Sequence, residues 1–163
     1  MSADGAPRGL LRPLTPADAV IVATWTYPEP FNLYDATGDA GEYEPPDAEG
    51  HGYWVVDADD GSGILAFVCL GPEGRVPGQD DEPGTLDVGM GVRPDSVSQG
   101  VAGRLVPGII EAVVATWQPQ RVRTAVAAFN ERSLRLCRAA GLRESRRFEG
   151  PAGREFVELV AEV

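Results

Sequence analysis

"SVSQGVAGRLV", Ser96 to Val106, decides how the rest of the chain is read. Before it, "TLDVGMGV" alternates Leu86, Val88, Met90 and Val92 with Asp87, Gly89 and Gly91. After it, Ala102, Leu105, Val106, Ile109, Ile110, Val113 and Trp117 recur at three- and four-residue spacing. Period two predicts a strand and period 3.6 an amphipathic helix, so the stretch is a strand-to-helix junction. Its small residues form either a plain turn or an anion cradle. The first amides of a helix are unpaired and its dipole favours negative charge, and Ser98, Gly100, Ala102 and Gly103 let a ligand come close. The chain has no lysine, which excludes a Walker loop, and its glycine spacing is not that of a dinucleotide fingerprint. Pro107 would cost roughly 3 kcal/mol inside a regular helix. The unbroken apolar register predicts a kinked, continuous helix through it.

Working outward, "RPLTPADAV" predicts a strand over Leu10–Pro13 and a helix capped by Thr15 with Pro16 at its first position. A long aperiodic segment rich in Pro, Gly, acids and aromatics follows, and such segments are often functional. "YWVVDADDGSGILAFVCL" predicts a hairpin with strands Tyr53–Ala58 and Ile64–Leu70. Beyond the central helix come a strand at "RVRTAVAAF", a helix capped by Asn130 and ended by Gly141, and strands over Glu144–Phe148 and Phe156–Val160. This order predicts an α/β (α+β) fold with mixed strand pairing.

With 163 residues the chain is expected to form one domain over residues 1–163. It lacks a long apolar run and a signal-like start, so it is expected to be soluble, cytoplasmic and without a membrane partner. Cys69 and Cys137 give neither a disulfide framework nor a metal pattern, and no metal is expected. A net charge of −11 argues against nucleic acid. Through Asp95 there are 18 acids and 4 arginines; beyond it, 7 acids and 10 arginines. If both parts line one cleft, it takes a cationic ligand on one side and an anionic one on the other.

"GVRP", "GVAGRLV" and "AVAAFNERSLRLCRAAGL" together resemble, in order and spacing, the core motifs of the GNAT superfamily of N-acetyltransferases. The resemblance implies a mixed, mostly antiparallel central sheet of six to seven strands flanked by helices on both faces. It implies transfer of an acetyl group from acetyl-CoA, as co-substrate, directly to a primary amine of a small cationic molecule or a peptide. The alternative is a non-catalytic acyl-CoA-binding or regulatory module of the same fold, and a homodimer is compatible with either.

The same resemblance implies site residues. Gly91 and Val92 would pair with the pantetheine arm. Ser98, Gly100, Val101, Ala102 and Gly103 would offer amides to the pyrophosphate, with Arg104 outside them and Asn130 turned toward the cofactor. Val97 departs from the family's Arg or Gln. Asp87 is the first candidate for the base, ahead of Glu29, Asp35, Glu44 and His51. The family's acid, a tyrosine seven residues after the asparagine, is replaced by Cys137, with water or Tyr34 as substitutes. Trp25, Tyr27, Phe31 and Tyr34 fall where the acceptor pocket is built, among the acids Glu29, Asp35, Asp39, Glu42 and Glu44, a combination suited to a cation.

Overall fold

The structure is a computed structural model and describes residues 10–97 and 99–163, so the cradle reading of Ser98 falls outside the described residues. The elements are β1 (Arg12–Pro13), α1 (Pro16–Val22), β2 (Gly52–Asp57), β3 (Ile64–Leu70), β4 (Thr85–Val92), α2 (Val101–Trp117), β5 (Arg121–Ala127), α3 (Glu131–Ala139), β6 (Arg143–Glu149) and β7 (Glu155–Glu162). They build a seven-stranded sheet in the order β1-β2-β3-β4-β5-β7-β6. Among the described residues only β4 and β5 pair in parallel; the remaining pairs are antiparallel. The mixed pairing is what the element order predicted, and the helices on both faces are what the family resemblance implied.

The alternation along each strand sets the layers. Trp54, Val56, Val68, Leu70, Leu86 and Val88 turn to one face and pack on Ile109 and Val113 of α2. Further along that face, Val126, Val157 and Leu159 receive Leu134 of α3, and Ile110 joins the two clusters. The opposite face of β2 and β3 is covered by α1, through Ala19 and Val22 on Val55 and Ile64. Trp25 lies past the end of α1 yet packs in that cluster, 7% exposed and stacked on Phe67.

Helix α1 starts as its sequence requires. The Thr15 hydroxyl accepts from the Asp18 N–H, and the Asp18 carboxylate accepts from the Thr15 N–H. Arg12 adds two donated bonds to Asp18, and these hold the Asp18 pKa down, at about 2. A carboxylate whose pKa falls on folding adds stability above its unfolded pKa and loses it as pH drops through the folded one. Asp18→Asn is therefore expected to cost about 1 kcal/mol at neutral pH and to remove the part of the acid destabilisation that wild type shows between pH 4 and pH 2. Urea midpoints measured at each pH check this.

Helix α2 runs unbroken through Pro107. The proline leaves the Gly103 carbonyl without its internal donor, and both residues are exposed, so that carbonyl opens to solvent.

Candidate active site

The parallel rungs between β4 and β5 are Thr85–Arg121, Leu86–Val122 and Asp87–Arg123, and there the pairing stops. Beyond them β4 follows β3 to Val92, while β5 follows β7 to Ala127. The Thr124 hydroxyl donates to the Val88 carbonyl at 2.7 Å where the strands part. The sheet therefore forks, with one arm in β4 and the other in β5.

The register decides which main-chain groups face the fork. Arg93 donates its N–H to Leu65, so the Leu65–Arg93 pair is a bonded rung, and Phe67–Gly91 and Cys69–Gly89 are bonded rungs in the same phase. The amide and carbonyl of Gly91 consequently turn to β3. Expecting Gly91 to pair with a ligand arm is corrected by one position: Met90 and Val92 turn their main-chain groups into the fork. Gly91 is glycine for another reason, since a Cβ there would lie 2.3 Å from the Phe67 ring. The Val92 carbonyl is taken by the Tyr27 hydroxyl at 2.7 Å, which leaves the Val92 N–H and both Met90 groups for a ligand.

At the start of α2, Gly100 occupies the left-handed region with φ of 75° and no side chain caps the helix. Arg104 donates its N–H to the Gly100 carbonyl, and the Val101, Ala102 and Gly103 amides are the open ones among the described residues. The Arg104 guanidinium folds back over Gly100, its Nη1 3.6 Å from where a Cβ would stand. Three free amides, a helix dipole and an arginine are a fit for a pyrophosphate.

Two predicted catalytic residues sit elsewhere. Asp87 is 1% exposed, and both its oxygens are taken: Oδ1 accepts from Arg123 Nε at 2.6 Å, and Oδ2 from Arg123 Nη2 at 3.1 Å and Arg75 Nε at 2.9 Å. A base needs an accessible lone pair, and this carboxylate has none to offer; the charges that sequence left invisible, Arg75 and Arg123, hold it. Around them, Glu82 and the Asp80 carbonyl accept from Arg123, and Gln79 donates to Glu158. Burial opposes the charge of Glu158, but bonds from Ser145 and Gln79, with Arg146 and Arg123 nearby, keep its pKa below the ordinary value. Cys137 packs with Val126, Leu134 and Leu142, and desolvation pushes its thiol up to about 11.

The segment after α1 spans the fork's mouth. Tyr27 holds the β4 arm through Val92, and Asn130, at the start of α3, donates its amide to the Tyr34 hydroxyl at 3.2 Å. Phe31 packs on Phe129, with ring centroids 5.7 Å apart. The Tyr27 N–H donates to Asp35 Oδ1, tying the segment's ends together. Burial, then the Asp35 charge, raises the Tyr27 pKa to about 12, so its phenol stays neutral. Tyr27, Phe31 and Tyr34 thus border the fork, while Trp25 belongs to the core.

A cavity of about 420 Å³ lies beside this clasp, lined by Glu42, Tyr43, Glu44, Tyr53 and Glu73 among others. Tyr43 and Tyr53 meet edge to face, and Tyr53 packs on the same Phe67 ring that covers Gly91. The cavity and the β4 arm therefore share a wall. Glu42 and Glu44 were legible as acids of an aperiodic segment, whereas Tyr43, Tyr53 and Glu73 come from three separate stretches and carry no local signal. The His51 ring lies against Gly71, at the start of the turn that carries Glu73.

A forked mixed sheet with a glycine-started helix beside the open arm can hold a long phosphorylated acyl carrier, its arm along the open strand and its phosphates at the helix start. The acetyltransferase (GNAT) domain family model matches residues 8–143, and the chain belongs to that family. It is an N-acetyltransferase with acetyl-CoA as co-substrate. Among solved structures, the aminoglycoside acetyltransferase AAC(6')-Ib in complex with ribostamycin and coenzyme A is similar, with 16% identity, 94% of this chain and 92% of that chain covered, and a TM-score of 0.71. The spermidine N-acetyltransferase SpeG from Vibrio cholerae has 12% identity, 93% and 94% coverage, and a TM-score of 0.66. At such identities the likeness speaks for the fold. No curated protein matches the sequence.

Proposed function

We propose that the protein acetylates a primary amine of a small cationic molecule. The supporting observation is the cavity next to the β4 arm, whose lining includes three glutamates and two tyrosines. Carboxylates attract an ammonium group and aromatic faces accommodate it once partly desolvated. Acetyl-CoA lies with its pyrophosphate at the amides of Val101, Ala102 and Gly103 and its pantetheine arm along Met90 and Val92. Arg104, exposed beside these amides, adds positive charge for the anionic co-substrate, and the acids of the cavity serve the amine. Spermidine and ribostamycin, named for the similar structures, are polyamines, in keeping with this class.

The amine arrives as an ammonium, and it attacks only after losing a proton. The cavity carboxylates are placed to take that proton, directly or through water, while Asp87 serves to hold the strands. The free amine then adds to the thioester carbonyl, and the oxyanion is stabilised by a main-chain N–H of the β4 arm.

Calorimetric titration with acetyl-CoA, followed by thiol release with a panel of amines, tests the reading. Turnover is expected with di- and polyamines and little with neutral amines; binding without turnover for any amine would make the protein a binding module instead. Changing Glu42, Glu44 and Glu73 together to Gln is expected to raise KM for a diamine roughly tenfold, to flatten its dependence on salt and, because the proton acceptor is lost, to lower kcat about 100-fold, with KM for acetyl-CoA unchanged. Steady-state kinetics at two ionic strengths read these effects.

A further inference from the structure

Acetyl transfer ends with the departure of a thiolate. The amine nitrogen bonds to the acetyl carbon, the C–S bond breaks, and its electron pair stays on sulfur, which then takes a proton. The donor must border the fork, hold a proton that no other group has claimed, and reach solvent to regain it. Most hydroxyl and thiol groups there fail one condition. Tyr27 spends its proton on the Val92 carbonyl, and Thr124 spends its own on Val88. Cys137 is packed among apolar side chains of α3 and the sheet.

Tyr34 meets all three. It is 39% exposed, and its hydroxyl oxygen accepts from the Asn130 amide, so the phenolic proton remains to be given away. Asn130 is itself fixed: it is 7% exposed, and its Oδ1 accepts from the Ser133 N–H, which directs the NH2 end at Tyr34. A donor to the phenol oxygen also stabilises the phenolate left after transfer. Phe31 on Phe129 and Tyr27 on Val92 hold the segment on both arms of the fork. We propose that Tyr34 is the general acid that protonates the departing thiolate, with Asn130 as its positioning residue. The phenolate then recovers a proton from water.

The inference rests on the proposed acetyl transfer, and kinetics of the full chain separate the two. An acid must be protonated to act, so wild-type kcat is expected to fall at alkaline pH. Tyr34→Phe is expected to lower kcat about 100-fold, leave KM for acetyl-CoA within about threefold, and abolish that descending limb. Asn130→Ser is expected to move the limb to higher pH, because the phenolate loses its donor, an effect that a purely structural asparagine would not produce. A Tyr34→Phe variant with wild-type kcat overturns the role of Tyr34 while acetyl transfer stands. A kcat that survives Tyr34→Phe but collapses in Cys137→Ser gives the thiol the role and also overturns it. Wild type that turns over no amine overturns the proposed function, and this inference with it.

Discussion

Arg123→Leu lowers the thermal midpoint by roughly 6–12 °C, the expectation for about 3 kcal/mol in a chain of this size. Arg123 is 4% exposed and Asp87 1%, and Glu158, 5% exposed, lies 3.5 Å from the same guanidinium. Removing the arginine leaves two buried carboxylates with Arg75 and Arg146 as their remaining cationic partners. Water cannot reach Asp87 to replace what is lost. The cost is therefore at the low end of what an uncompensated buried charge imposes, because half of the network survives.

The decisive comparison is with the double variant Asp87→Leu, Arg123→Leu. It removes both charges of the central pair, and its midpoint is expected to lie above that of either single variant. Additive losses would mean that the two residues act independently, contrary to the bonds between them. The pair also has a place in the site. Asp87 and Arg123 form the last rung before β4 and β5 separate, so it fixes where the fork begins. Acetyl-CoA affinity is expected to fall in the single variants together with stability, measured by calorimetry below the midpoint.

Those charges explain what was legible in sequence and what was not. The alternation of Leu86 and Val88 with Asp87 and Gly89 identified β4, and the spacing from Leu105 to Trp117 identified α2, because each buries one face and repeats it. Asp87 was legible as a carboxylate on the second face of a strand. Its fate was not, since that depends on the aperiodic loop carrying Arg75, Gln79 and Glu82, which covers the sheet by tertiary contact alone. The cavity shows the same limit, with Tyr43, Tyr53 and Glu73 brought together from a loop, a strand and a single turn. The register of β4 decided between Gly91 and Met90, and a single strand carries no information on its partner's phase.

Ala102→Pro is expected to weaken acetyl-CoA binding about 10–100-fold while leaving the free protein's stability nearly unchanged. Ala102 is the second residue of α2, and a first-turn proline gives up an N–H that has no partner within the helix. In the protein alone, little is lost. With acetyl-CoA, one of the three amides proposed to hold the pyrophosphate disappears and a pyrrolidine ring takes its place. A hydrogen bond to a charged group contributes about 1.5–3 kcal/mol, and each 1.4 kcal/mol is about tenfold in Kd. Thermal shifts read the same quantity: acetyl-CoA at 100 times the wild-type Kd stabilises wild type by about 2.7 kcal/mol, and a tenfold weaker variant by about half of that. Arg104→Ala provides the contrast. That side chain is exposed, so its contribution shrinks as salt screens it, whereas the loss at Ala102 persists at high ionic strength because the amide is fixed in the helix. Unchanged affinity in Ala102→Pro would reduce "SVSQGVAGRLV" to a turn, and a salt-independent loss makes it the cradle.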